Sequence, residues 1–317
     1  MPTAPRFAEY GDLFDEIVRL REEGKPDEAL ALIEAEGLRF PKQTAYVHLW
    51  RMSLSVAVGR IDHAIQALDE ALASGCRYPA PMLREWPAIA PLRDIVEFER
   101  LMHIAAMRYD AELAASRGTL IVERPDVIAP PRGLPLLVAL HGNNDTAEKS
   151  VPFWRAATAR GLVLAVPGSP EIALTPGLFV WNDADRAHVH VLDQVERLVR
   201  EQRIDPERIV LGGFSAGALR ALQLAYSPAL HAKAVIAVGP WIPVKEVEAL
   251  ASARPVRTFI AVGDQDKGGY AGSRTLTDRL SGDGVPVRLE VIPGHGHSYP
   301  PEWDSMLGRA IDFALAG

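Results

Sequence analysis

Two hydrophobic rhythms divide the chain. Up to about residue 115, apolar side chains recur every three to four positions, and Phe7, Tyr10, Phe14, Ile17 and Val18 mark one face of an amphipathic helix. The phrase Gly24-Lys25-Pro26-Asp27-Glu28-Ala29-Leu30-Ala31-Leu32-Ile33 is then echoed by Gly59-Arg60-Ile61-Asp62-His63-Ala64-Ile65-Gln66-Ala67-Leu68. From Gly24 to Gly59 is 35 residues, close to the helix-turn-helix period of tetratricopeptide units. Tyr46, Leu49, Trp50 and Leu54 supply the opposing helix between the copies. Two copies are too few for a solenoid. A small helical layer is expected, burying its apolar face on another element, for which the downstream domain is the candidate. Trp50, Trp86 and Phe98 read as core packing rather than as a peptide-binding groove, and His48, His63 and His103 lack partner spacing and read as structural. Prolines between residues 78 and 91 interrupt the helical pattern, which resumes over 92–115.

From Gly118 the period changes. Short runs rich in valine, isoleucine and leucine occupy 119–123, 134–140, 162–166, 209–211, 235–238, 258–262 and 287–292, mostly separated by helical stretches. Continuous apolar strands alternating with helices predict a mostly parallel sheet covered on both faces. The expected fold is therefore α/β over residues 118–317, preceded by a small all-α domain over 1–117. In such sheets the reacting groups gather beyond the carboxyl ends of the strands.

Composition narrows the partners. A net charge of −7, with 48% hydrophobic and 24% charged residues, fits an ordinary globular protein and argues against a nucleic-acid or anionic-membrane surface. Cys76 is the sole cysteine, so no intrachain disulfide is expected. The segment from Met1 to Arg6 has no apolar signal-peptide core, and no apolar run approaches membrane-spanning length. A cytoplasmic protein is the expectation. Nucleotide-binding glycine spacings are absent at the strand ends, so no cofactor or metal is implied.

Candidate chemistry follows the strands. Gly213-Phe214-Ser215-Ala216-Gly217 ends one apolar run and opens the alanine-rich stretch 216–226, the strand-turn-helix setting of a G-x-S-x-G nucleophile elbow. There Ser215 stands on a strained turn, and the Ala216 backbone N–H, in the first helical turn, is free to face an oxyanion. The loop His141-Gly142-Asn143-Asn144-Asp145 follows the 134–140 strand, where an HGGG-type sequence supplies the second oxyanion donor in such folds. Asn143 is the expected donor and Asn144 the alternative; Asp145 and Glu148 read as a helix-capping pair. Two later loops, Gly263-Asp264-Gln265-Asp266 and Pro293-Gly294-His295-Gly296-His297, complete the order Ser, Asp, His. Spacing alone leaves Asp264 and Asp266, and His295 and His297, as alternatives. A metal site at His295 and His297, or at His188 and His190, lacks further ligands. The 168–186 stretch should overhang the site, and Trp181 is the expected pocket residue; Trp154 and Trp241 are further candidates.

From residue 118 onward these phrases resemble the α/β-hydrolase superfamily, and within it dienelactone-hydrolase-like and phospholipase/carboxylesterase-type predicted esterases. The resemblance of Gly263-x-x-Asp266 to their acid loop and of Gly296-His297-x-Tyr299-Pro300 to their histidine loop favours Asp266 and His297. It implies a carboxylesterase acting on small to medium esters through Ser215, His297 and Asp266, with Asn143 and Ala216 at the oxyanion and Trp181 and Asn144 toward the substrate. A thioesterase or serine peptidase would use the same triad. A scaffold whose helical domain binds a partner or a second copy is the non-enzymatic alternative.

Overall fold

A computed structural model of the chain describes residues 6–7, 9–251 and 253–316. They form two units: one runs to Ser116 and includes Ile172–Leu178, the other comprises Arg117–Glu171 and the chain from Phe179 onward.

The first unit is helical, with α1 (Tyr10–Glu22), α2 (Pro26–Glu36), α3 (Thr44–Ala57), α4 (Ile61–Ala73), α5 (Ala80–Glu85) and α6 (Val96–Ala115). The repeated phrases lie at equivalent turns. Gly24 (φ 73°) ends α1, and Gly59 (φ 75°) ends α3. In both turns the following N–H reaches back six residues inclusive, Lys25 to the Leu20 carbonyl and Arg60 to the Ser55 carbonyl, closing a Schellman cap that needs the left-handed glycine. The buried stripe of α1 is Leu13, Ile17 and Leu20; of the expected face Ile17 is buried and Phe7 and Tyr10 pack partly buried against the same cluster. Phe14 instead stands half-exposed, edge-on to Trp50. The unit has apolar clusters of its own: Leu13, Ile17, Leu30 and Ile33 in one, and Met52, Leu68, Tyr78 and Phe98 in another. Phe98 is fully buried as expected, whereas Trp50 and Trp86 line a cleft of about 530 Å³ with Phe14, Tyr46 and Met82. The Ile172–Leu178 segment belongs here through hydrogen bonds from Arg77 to the Ala173 and Leu174 carbonyls. The 168–186 stretch is thus divided, residues 172–178 grouping with the first unit.

The second unit is a seven-stranded sheet with helices on both faces. Its strands are β1 (Thr119–Glu123), β2 (Leu134–Leu140), β3 (Val163–Gly168), β6 (Ile204–Phe214), β7 (Ala234–Val238), β8 (Arg257–Gly263) and β9 (Val287–Ile292). The short β4 (Glu171–Ile172) and β5 (Phe179–Val180) pair with each other and were not legible as apolar runs. The sheet order is β1-β3-β2-β6-β7-β8-β9, with only the β1–β3 pairing antiparallel. Strands β2, β3, β7 and β8 are buried almost throughout, which explains their unbroken apolar sequence. The helices are α7 (Ala147–Trp154), α8 (Ala184–Glu201), α9 (Ala216–Tyr226), α10 (Val244–Ala251), α11 (Tyr270–Gly282) and α12 (Trp303–Leu315). Registers Leu140 with Gly213, Phe214 with Val238, and Gly263 with Ile292 bring the strand ends to one edge. No described helix is long and apolar enough to cross a membrane.

Candidate active site

At that edge the chain leaves β6 into α9 through Ser215, whose φ of 55° and ψ of −122° lie in a region costly for a residue with a side chain, by about 1–3 kcal/mol. Backbone hydrogen bonding holds the strain, since the Ser215 N–H donates to the Val238 carbonyl at 2.9 Å. The flanking glycines are required by approach distance. A Cβ on Gly213 would lie 2.6 Å from the Gly217 carbonyl carbon, and one on Gly217 would lie 2.2 Å from the His141 carbonyl oxygen. Strand, elbow helix and the β2 loop can close on one another only without those methyl groups.

The Ser215 Oγ lies 2.8 Å from His297 Nε2, and His297 Nδ1 lies 2.7 Å from Asp266 Oδ2. An ionised carboxylate can only accept, so in this arrangement Nδ1 carries the proton and Nε2 is left to accept from the serine hydroxyl. Asp266 is 2% exposed; its other oxygen accepts the Gly268 and Gly269 N–H groups at 3.1 and 2.9 Å, just ahead of the N-terminus of α11. Of the alternatives left open by spacing, Asp264 accepts the Gly294 N–H at 2.8 Å, and His295 pairs with Ser298 at 3.0 Å. Asp264 ties the two loops together, His295 braces its own loop, and neither reaches Ser215.

The histidine loop rests on aromatic rings. Phe214 lies against His297 with ring centroids 5.0 Å apart and stacks on Tyr299, which stacks in turn on Phe153. Tyr299 accepts the Trp154 indole N–H at 3.0 Å, and burial pushes its phenol well above the ordinary range. Phe214 and Gly239 escaped the sequence reading. Gly239 follows β7, and a Cβ there would come within 3.2 Å of Asp266 and 3.5 Å of His297. A glycine directly after a buried strand was the available signal.

The β2 loop lies beside the serine: a Cβ on Gly142 would stand 3.5 Å from Ser215 Cβ. The Asn143 side chain accepts the Trp181 N–H at 2.7 Å and donates to Asn182 at 2.9 Å. Asn144 adopts φ 55°, and its buried Oδ1 has no partner among the described residues. The cap of α7 is Thr146, which accepts the Lys149 N–H; Asp145 instead accepts the N–H of Thr146. Trp181 is corrected to a core position, 1% exposed and packed on His141 with centroids 5.1 Å apart. Trp154 is also fully buried, while Trp241, 58% exposed, lies beside the Asp266 turn, 3.4 Å from where a Gly268 Cβ would stand. His188 and His190 lie on α8, where burial lowers their basicity. Among the described residues no group of three or more His, Cys, Asp or Glu is placed to hold a metal ion.

Residues 172–306 match the dienelactone hydrolase family. No curated protein matches the chain. Among solved structures, an uncharacterized protein from Bacillus cereus ATCC 10987 is 22% identical over 96% of this chain and 99% of its own, with a TM-score of 0.53. Esterase PE8 is 21% identical over 62% of this chain and 99% of its own, with a TM-score of 0.54. Thermogutta terrifontis esterase 2, phosphorylated by paraoxon, is 16% identical over 62% of this chain and 88% of its own, at a TM-score of 0.52. At these identities the structural likenesses establish the fold. The second unit accordingly has the α/β-hydrolase fold, and the stretch 172–306 is similar to the dienelactone hydrolase family.

Proposed function

We propose that the chain is a serine hydrolase, a carboxylesterase for small to medium esters, with Ser215 as nucleophile, His297 as general base and Asp266 as its carboxylate partner. The observation that carries the reading is the unbroken hydrogen-bond chain from the Ser215 hydroxyl through His297 to the buried Asp266. As Oγ bonds to the ester carbonyl carbon, its proton passes to His297 Nε2, and the imidazolium is stabilised by Asp266. Collapse of the tetrahedral adduct expels the alcohol, which takes that proton. Water, deprotonated by the same nitrogen, then releases the acid from Ser215. Backbone N–H groups of Asn143 and Ala216 receive the oxyanion, each donor worth on the order of 3 kcal/mol. Asn144, which follows Asn143 in the β2 loop, and the exposed ring of Trp241 beside the Asp266 turn are the side chains assigned to the substrate. The phosphorylation of the Thermogutta enzyme by paraoxon suggests the probe. A fluorophosphonate should label the wild type and not Ser215→Ala; absence of wild-type labelling would overturn the reading. A panel of p-nitrophenyl esters, acyl thioesters and aminoacyl amides should show the esters turned over fastest, and preference for another class would reassign the bond.

A further inference from the structure

His141 is a fully buried polar side chain beside the site, 0% exposed, and the triad chemistry makes no use of it. Its Nδ1 lies 2.7 Å from the Gly142 carbonyl oxygen, and its Nε2 lies 3.1 Å from the Ser169 backbone nitrogen. The chemistry of these partners fixes the tautomer. A backbone N–H can only donate, so Nε2 accepts from Ser169; a carbonyl can only accept, so the ring proton sits on Nδ1 and donates to Gly142. Ser169 is itself anchored, its hydroxyl donating to the Val180 carbonyl at 2.5 Å, and Trp181 covers the ring. The imidazole is thereby held as a rigid strut between the ends of β2 and β3.

The strut acts on one peptide plane. The Gly142 carbonyl and the Asn143 N–H belong to the same peptide group, and the described backbone contains no cis peptide bond. In a trans peptide these two groups point in opposite directions. Holding the carbonyl on His141 therefore turns the Asn143 N–H to the far side of the plane. The Asn143 side chain, bound to the Trp181 N–H and to Asn182, restrains the same plane from its other end. From this geometry we infer that His141 is a positioning residue for the oxyanion hole, aiming the Asn143 N–H at the charge that develops beside Ser215. The inference rests on the serine-hydrolase reading above. A glycine before the donor makes such a latch necessary, because Gly142 by itself leaves the plane free to rotate.

Three substitutions test it. His141→Asn places an amide N–H close to where Nδ1 stands, His141→Gln places its amide near Nε2, and His141→Phe keeps the ring without either bond. With a p-nitrophenyl ester, His141→Phe and His141→Gln should lose about 10- to 100-fold in kcat with KM within about twofold, and His141→Asn should recover most of the loss. A trifluoromethyl ketone, which forms an oxyanion adduct on the serine, should weaken in step with kcat across the three variants. The acid limb of the pH profile should stay in place, because the base is untouched. Should His141→Phe fail to fold, the Asn–Gln contrast carries the same test, both being amides. The inference is overturned if the folded Gln or Phe variant keeps kcat within about threefold of wild type, if Asn is no better than Gln, or if ketone affinity does not follow kcat. Failure of the parent reading is distinct: wild type would then neither take the fluorophosphonate on Ser215 nor turn over the ester.

Discussion

Replacing Gly217 by alanine sets two effects of opposite sign against each other. Gly217 sits in the first turn of α9, and elsewhere in a helix the change would stabilise by up to about 1 kcal/mol through lower chain entropy. Here the new methyl group would stand 2.2 Å from the His141 carbonyl oxygen, 2.7 Å from that of Leu140 and 2.9 Å from the Leu140 carbonyl carbon. Ordinary contact begins at 3.4 Å, so helix and loop must separate by about 1.2 Å, and all three obstacles are backbone atoms without a rotamer to yield. Overpacking of this kind costs about 1–3 kcal/mol. Sterics should win, leaving the protein less stable by up to about 2 kcal/mol after the entropic gain is offset. Activity should suffer more than stability. The same displacement carries the Ala216 N–H and Ser215 away from the β2 loop, and a shift of about 1 Å in reacting groups costs on the order of 100-fold in rate. Gly282→Ala is the internal control. It lies in α11 with nothing within 4 Å of its would-be Cβ, and it should be neutral or slightly stabilising with kcat unchanged. Urea unfolding followed by tryptophan fluorescence, beside p-nitrophenyl ester turnover, reads both quantities. Finding Gly217→Ala as stable and as active as Gly282→Ala would refute the reasoning about why the elbow needs that glycine.

Asp266→Asn should lower kcat by about 10⁴-fold, because an amide N–H facing His297 favours the wrong ring tautomer. Asp264→Asn should stay within about threefold of wild type, and reversed effects in steady-state kinetics would exchange the two assignments. His295→Asn should likewise retain kcat and change thermal stability only, since its ring reaches Ser298 and not Ser215; a large fall in kcat would count against His297 as the base. Glu290 accepts a hydrogen bond from Arg309 at 2.8 Å, and this, with the charges of Arg309 and Arg288, holds its carboxyl below the usual carboxylate range. A depressed folded value means stabilisation that is present at neutral pH and lost as pH falls through that value. Glu290→Gln should therefore unfold at lower urea than wild type near pH 7, with the gap narrowing as pH falls below the usual carboxylate range; a gap constant with pH would show that the ion pair is not its source.

The elements themselves were legible from local pattern. The run at 134–140 coincides with β2 and that at 258–262 lies within β8, because a short strand that a parallel sheet buries on both faces must be continuously apolar. Gly24 and Gly59 declared their turns, because only glycine closes a Schellman cap without strain. The Ser, Asp, His order was readable for a similar reason: each group follows directly on a strand end, where sequence position and spatial position coincide. The choice between neighbours was not. Asp264 and Asp266 lie two residues apart on one turn, and only the closure of that turn under Gly268 and Gly269 decides which carboxylate is buried facing His297. Trp181 shows the converse error: large, apolar and following a strand end, it reads as a pocket wall, yet its burial on His141 depends on a hairpin too short to leave a pattern. The expected and the buried faces of α1 share Ile17 but differ at Phe14, which is as apolar as Leu13, and only packing against α2 and α3 selects between those neighbours. Periodicity and strand-end chemistry are one-dimensional and were carried by the chain alone. Which of two adjacent side chains turns inward depends on contacts between distant segments, and only the folded structure decided it.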